Sequence, residues 1–480
     1  MTVFTEPISS SVSLFPYKGK RFGSWNLFTN SAGNFFVLEE NNLNLLKNKN
    51  FLKERQNELL EKGFAYQIKG DLYDNSFKYK KKRRRVVQPK LEYLIVVPTL
   101  RCNLSCSYCQ VSRANENASG FDWSEKDCEL FLKYIRENGA QNIKIEIQGG
   151  EPTLRLDLVK FIIDGVSALC SNPTFVICTN LNEVSREFLQ ILENKRVSIS
   201  TSIDGPLDLH DRQRTQGRFK AKRFLKNFLL LHQEIGLARI SALPTITNPQ
   251  EIIKIINFYI ELGLTEISLR QVNFHGFARK SHRDESQDIK NWNKSYLDAL
   301  DYIAKHNSLN QNKLIETNLA LHLRRIFHLD AIGNVDFRSP NPSGLDYLVI
   351  DFDGKIYPSD EARMLARIGS IDFTIGSLSS GLDFETIAQF NAMQDNQKYS
   401  ACNECAYQPF CGIDVIDDVS RYGSVDYPKL ETHFCQTHMS LFDYIFLKIK
   451  ERDFEALMNF SGHLTGRFEI NPVFSGAYLD

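Results

Sequence analysis

The stretch Tyr93-Leu94-Ile95-Val96-Val97-Pro98-Thr99-Leu100-Arg101-Cys102-Asn103-Leu104-Ser105-Cys106-Ser107-Tyr108-Cys109 orders the rest of the chain. Its first six residues are aromatic and branched, and they read as a buried strand. The strand feeds a loop whose three cysteines are spaced C-x3-C-x2-C. Three thiolates can hold three irons of a 4Fe-4S cluster and leave the fourth iron open to a ligand. Structural zinc wants four protein ligands, and catalytic zinc seldom uses three cysteines at this spacing.

Downstream the pattern strand, loop, helix repeats. Asp122 or Ser124 can cap a helix to Asn138, which Gly139 ends. Further strands are expected over 143–147, 175–178, 197–203, 238–245 and 266–272. Helices over 156–170, 184–193, 219–235 and 251–262 separate them. Six strands alternating with helices predict parallel β/α units curled into a partial (β/α)6 barrel, an α/β fold. Chemistry in such folds gathers at the C-terminal ends of the strands. There the chain places Gly149-Gly150-Glu151-Pro152, Thr179-Asn180 and Ser202-Ile203-Asp204-Gly205-Pro206, the last continuing to His210-Asp211-Arg212-Gln213-Arg214. Paired glycines let a backbone approach a ligand, and Glu151 can accept bonds from an ammonium group. His210 reads as a structural residue at a helix start.

Lys+Arg and Asp+Glu both number 58 over 480 residues. Bulk charge therefore points to neither nucleic acid nor membrane. No apolar run reaches the ~20 residues of a spanning helix, and no secretory signal is apparent. Seven of the ten cysteines fall in two tight groups. A secreted disulfide scaffold would be short and would spread them, so metal binding or catalysis in a reducing cytoplasm is expected. Cys128, Cys170 and Cys178 read as buried free thiols.

The second group is Cys402-Asn403-Glu404-Cys405-Ala406-Tyr407-Gln408-Pro409-Phe410-Cys411, with Cys435 later. On spacing alone, four thiolates can close a zinc site or a complete 4Fe-4S cluster. Residues 1–75 read as a small α+β, winged-helix-like module with strands at 25–29 and 35–38 and helices over 39–47 and 51–62. Residues 76–92, rich in Lys and Arg, read as a solvated basic linker. The other expected units are the barrel at 93–280, a helical connection at 281–345 and a cysteine-bearing domain at 346–480. The last opens with a hairpin around Asp353-Gly354 and contains a helix over 440–458.

With these motifs, residues 93–275 resemble the radical S-adenosylmethionine (SAM) superfamily. The resemblance implies that Cys102, Cys106 and Cys109 bind a 4Fe-4S cluster whose open iron chelates SAM. It also implies that the cluster's electron cleaves SAM to methionine and a 5′-deoxyadenosyl radical. It assigns Tyr108, Gly149, Gly150, Glu151, Ser202 and Arg214 to the cofactor; Asn180 and Asp204 are added from their places at strand ends. The C-terminal group resembles the SPASM extension of peptide-modifying members, which carries two auxiliary clusters. Ser359 and Val415 stand where that family has cysteines of its first auxiliary cluster. One auxiliary 4Fe-4S cluster, on Cys402, Cys405, Cys411 and Cys435, is therefore expected. The segments at 102–113, 148–151, 357–364 and 405–409 resemble the radical SAM maturase of the His-Xaa-Ser peptide system. That likeness implies a ribosomally made peptide substrate and an electron donor such as flavodoxin or ferredoxin. Asp360 is the candidate proton acceptor and Glu361 the runner-up, with an Asp360–Arg363 ion pair as the competing reading. Formylglycine formation of the sulfatase-maturase kind, or a non-catalytic zinc or iron–sulfur module, are the alternative functions.

Overall fold

Along the strand Val197–Ser202 every second residue, Val197, Ile199 and Thr201, is buried, and the serines between are half-buried. The same alternation runs through Thr174–Thr179 and the end of Gly139–Ile147. A sheet with this pattern has one face for helices and one polar face kept for something else. In the computed structural model, Ile145, Ile147, Phe175, Ile177, Val197 and Ile199 pack outward on Phe131, Val159, Ile162, Phe188, Phe228 and Ile256 of the surrounding helices. Ser198, Ser200, Val176, Lys144 and Glu146 line the concave interior instead. The model describes residues 12–451 apart from 40–43, 86–89, 216, 218–219, 274, 277, 282–284 and 330–336.

Twelve strands suffice to place the site. Tyr17–Phe22 (β1), Trp25–Asn30 (β2) and Phe35–Leu38 (β3) form an antiparallel sheet near the N-terminus. The core strands are Leu91–Val96 (β4), Gly139–Ile147 (β5), Thr174–Thr179 (β6), Val197–Ser202 (β7), Ile240–Leu243 (β8) and Tyr347–Ile350 (β9). Lys355–Tyr357 (β10), Gly376–Ser377 (β11) and Gly381–Leu382 (β12) follow. The large sheet runs β8-β7-β6-β5-β4-β9-β10-β11-β12. It is parallel from β8 through β9 and antiparallel beyond. The expected partial α/β barrel is present, with helices Glu125–Asn138, Leu156–Leu169, Arg186–Leu192, Ala221–Ile235 and Ile252–Glu261 between its strands. Ser124, not Asp122, caps the first of these, in a reciprocal box with Asp127.

Three expectations need correcting. The sixth strand, expected over 266–272, is broken into Glu266–Ile267 and Arg270–Gln271, which lie outside the large sheet. The buried carboxylate of Glu316 takes the Leu269 amide at 3.0 Å between them. The sixth parallel strand is instead β9, half of the hairpin assigned to the C-terminal unit. It covers the open edge of β4, with Tyr93 stacked on Tyr347 at 5.1 Å. An unpaired edge at the start of a partial barrel must be covered, and the apolar run 347–350 does so. The basic stretch keeps Lys78, Lys81 and Lys82 exposed, as a solvated run would, but it is helical and anchored. Leu72–Arg83 is a helix capped by Asp71, and the Arg84 guanidinium donates to the carbonyls of Ala32, Arg325 and Ile326.

The N-terminal sheet has one more strand than expected, because β1 is too polar to read as one. The expected helix over 51–62 is two short ones, Lys49–Glu54 and Gln56–Glu61. Much of the helix expected over 39–47 lies outside the described residues; Leu45–Lys47 is a 3-10 turn. The connection is helical over Glu285–Leu309 and Thr317–Phe327, and the last described helix is His433–Lys450. Residues 452–458 of its expected extent lie outside the described residues. No described helix is long and apolar enough to cross a membrane.

Candidate active site

The loop leaving β4 crosses the C-terminal ends of the parallel strands and carries Cys102, Cys106 and Cys109 to one pocket of roughly 250 Å³. Tyr108, Gly149, Gly150, Asn180, Ser202 and Arg214 line the same pocket. The glycine pair is a spatial requirement. A β-carbon on Gly149 would sit 2.2 Å from the Thr99 carbonyl oxygen. One on Gly150 would sit 2.3 Å from the carbonyl oxygens of both Leu100 and Arg101. Two backbones can approach this closely only without side chains, and the approach is fixed by Gly150 N–H to Thr99 O at 3.0 Å and Glu151 N–H to Arg101 O at 2.8 Å.

Glu151 and Asp204 stand behind the pocket wall rather than on it. Glu151 is 1% exposed and accepts from Asn180 N at 2.7 Å, Thr153 N at 3.1 Å and Thr153 Oγ1 at 2.7 Å. It thereby locks the Thr179-Asn180 turn against the glycine loop. Asp204, fully buried, accepts from Tyr108 Oη at 2.6 Å and Thr245 N at 3.2 Å. Arg214 donates to Tyr108 Oη at 2.8 Å, and among the described residues its buried Nε has no hydrogen-bond partner. His210 is structural, as expected: it is buried and stacked on Phe224 at 4.4 Å.

The donor set fits a cluster and a charged cofactor. Burial pushes the Cys102 thiol up to about 12, with Glu151 adding to the effect, and raises Cys106 as well. Such sulfurs ionise when a metal takes the proton's place. Arg214 lies against Cys106 and Cys102 as the compensating cation. The unpartnered Nε, the side-chain-free approach at Gly149-Gly150 and the three convergent sulfurs are what a cluster with an anionic ligand requires.

A second cavity, roughly 360 Å³, adjoins the first and shares Arg270 and Glu361 with it. Its walls include His275, His433, Phe434, Thr437 and His438. His275 is 2% exposed, and neither ring nitrogen has a hydrogen-bond partner among the described residues. Sequence reasoning missed Arg270, His275 and the histidines of helix His433–Lys450, because each stands alone in the sequence, outside any motif of fixed spacing. Asp360 and Glu361 both reach the first pocket. Asp360 accepts a hydrogen bond from Arg363 Nε at 2.8 Å and has Nη2 at 2.8 Å in ion-pair contact, so the competing ion pair is formed. Arg363 is fully buried and has Asp351 at 3.6 Å on its other side. Glu361 faces both cavities, and burial, reinforced by Asp360, raises its carboxyl above the usual range.

Beyond this cavity Cys402, Cys405, Cys411 and Cys435 stand within electrostatic reach of one another. Cys435 is in the first turn of helix His433–Lys450. Among the described residues no three His, Cys, Asp or Glu groups are placed to hold a single metal ion. Of the remaining thiols Cys128 and Cys170 are buried, while Cys178 lines the first pocket beside Glu146.

Comparison with known proteins agrees with the geometry. Residues 96–270 match the family model described as the radical SAM superfamily. An uncharacterised protein of Methanocaldococcus jannaschii is 26% identical over 208 residues, 42% of this chain and 70% of that one. A GTP 3′,8-cyclase of Campylobacter jejuni is 35% identical over 119 residues, 23% of this chain and 35% of its own. Among solved structures, anSMEcpe with bound AdoMet superposes with a TM-score of 0.62 at 18% identity, over 76% of this chain and 98% of that one. SuiB of Streptococcus suis, bound to precursor peptide SuiA, gives 0.50 at 17% identity, over 87% and 98%. The fold around the pocket is the one those structures share, and residues 96–270 constitute a radical SAM superfamily domain.

Proposed function

We propose that this protein cleaves SAM reductively and uses the resulting radical to modify a ribosomally made peptide. The observation that carries the reading is the convergence of Cys102, Cys106 and Cys109 on a pocket walled by Gly149, Gly150, Ser202 and Arg214. A 4Fe-4S cluster on those thiolates, with one open iron, supplies the electron that splits SAM. The chain's own residues do the rest. Arg214 and Ser202 offer a guanidinium and a hydroxyl to the cofactor's carboxylate and ribose. Tyr108, held by Asp204 and Arg214, offers its ring edge as a wall for the adenine. Glu151 keeps the glycine loop and the Asn180 turn in register.

The adjoining cavity is the entry for the substrate side chain, since Arg270 and Glu361 belong to both spaces. Asp360 is committed to Arg363, so the proton acceptor is Glu361, the carboxylate that faces the cavity with a raised pKa. Cys402, Cys405, Cys411 and Cys435, within electrostatic reach of one another, hold one auxiliary cluster, a reading that draws on the motif resemblance. The peptide reading draws on the fold shared with SuiB; the His-Xaa-Ser class and a flavodoxin- or ferredoxin-type donor draw on the motif resemblance.

The test is anaerobic. Full-length protein loaded with iron and sulfide, reduced and given SAM should yield 5′-deoxyadenosine. Replacing Cys102, Cys106 and Cys109 together with Ala should abolish that product while the second cluster's absorbance persists. Undiminished cleavage by the triple variant would sink the reading. Mass spectrometry of co-expressed His-Xaa-Ser peptides then tests the substrate.

A further inference from the structure

Strand β1 lies over the second cysteine loop with Lys18 and Lys20 directed at it. Lys18 Nζ donates to Gln408 Oε1 at 2.6 Å. Lys20 Nζ bonds Asp443 and sits 4.8 Å from the centre of the Tyr407 ring. On the neighbouring strand β2, Thr29 Oγ1 donates to the Ala406 carbonyl at 2.6 Å, and Phe35 of β3 packs edge-on against Phe410 and Phe446. The loop so clamped is the one between Cys405 and Cys411, and the Tyr407 amide reaches Cys405 Sγ at 3.4 Å.

Four cations bear on these thiols: Lys18, Lys20, Lys429 and Arg325. Lys20 is neutralised by Asp443 and Lys429 by Asp418. Lys18 is different. It is partly buried, its partner is a neutral amide, and among the described residues no carboxylate lies within ion-pair distance of it. Burial pulls its ammonium down to about 8 while Cys405 and Cys402 act to hold the proton on, so at neutral pH it carries a charge that has no local carboxylate partner and extends to the cysteine site.

We propose that Lys18 is a positioning residue that raises the reduction potential of the cluster held by Cys402, Cys405, Cys411 and Cys435. The inference rests on the second cluster proposed above. The couple concerned takes up one electron and no proton, so a four-thiolate 4Fe-4S centre passes from a net charge of about −2 to about −3. A fixed positive charge nearby stabilises the more negative form, and partial burial keeps it from being screened away. The N-terminal sheet is thus a wall of the auxiliary site, and its charge makes that site a better electron acceptor.

The experiment is a redox titration followed by electron paramagnetic resonance on the full chain. The Cys102, Cys106 and Cys109 to Ala background isolates the second cluster's signal. Lys18→Met should shift its midpoint to lower potential, while Lys18→Arg holds the parent value. Lys20→Met, which removes a paired charge and leaves Asp443 behind, should shift it downward too. In the unaltered background, the first cluster's midpoint should not move. A parent-like midpoint in Lys18→Met overturns the proposal. If Lys18→Met loses iron, Lys18→Gln, which can still bond Gln408, repeats the test, and loss of iron there too overturns it. A parent chain with only about four irons and no signal in the triple-alanine background overturns the cluster reading itself, an outcome told apart by the iron count.

Discussion

Asp360→Asn is the substitution that best separates structure from chemistry at this site. Asp360 Oδ1 accepts one hydrogen bond from Arg363 Nε at 2.8 Å and has Nη2 at 2.8 Å as an ion-pair contact, and the two side chains are 13% and 0% exposed. Removing one charge of a buried pair leaves the other uncompensated, which costs about 3–5 kcal/mol. Asp351 stays 3.6 Å from the same guanidinium, and an amide oxygen can still accept one bond. The lower end applies, so the unfolding free energy should fall by about 3 kcal/mol. Urea titration of the anaerobically purified variant measures it. Product formed per folded, SAM-cleaving enzyme should persist in Asp360→Asn and collapse in Glu361→Gln by about 100-fold or more, the range for loss of a general base. An Asp360→Asn variant within about 0.5 kcal/mol of the parent, the usual scatter of uncoupled surface changes, would refute the ion-pair reasoning. Lost product at parental stability would return Asp360 to the role of proton acceptor.

Further outcomes follow from the geometry. Gly150→Ala puts a β-carbon 2.3 Å from two backbone oxygens that cannot rotate away. It should lose about 1–3 kcal/mol of stability, together with SAM affinity by equilibrium dialysis; parental values in both would contradict the close-approach argument. Burial holds His210 and His322 neutral, with pKa values pulled from 6.5 to about 3. Below pH 6.5 the unfolded chain binds protons that the folded chain refuses, so stability is complete above 6.5 and is lost as pH falls toward 3. Each contributes a slope of up to about 1.4 kcal/mol per pH unit in that window; His322→Phe should flatten the urea-midpoint profile between pH 6.5 and 4.

The alternation of Val197 and Ile199 with Ser198 and Ser200 is legible from sequence because a strand's two faces are written in a period of two, whereas the unbroken apolar run at 175–178 says strand without saying which side faces the helices. The spacing of Cys102, Cys106 and Cys109 was legible because one short loop carries all three ligands. Local turns such as Gly149-Gly150 announced themselves by residue type. What sequence could not decide was which local pieces meet. Tyr347–Ile350 reads from sequence only as half of a hairpin, and its pairing with the open edge of β4 shows that it is a barrel strand as well. Glu151 reads as a ligand from its motif, and only the fold shows that it also takes the Asn180 and Thr153 donors. Arg84 reads as one charge in a solvated run until three carbonyls from two distant segments converge on it. Lys18 is separated from Gln408 by 390 positions, and no periodicity spans that interval. Short-range pattern follows from backbone geometry that each residue carries with it, whereas pairing, burial and field depend on partners that the chain supplies only after it has folded.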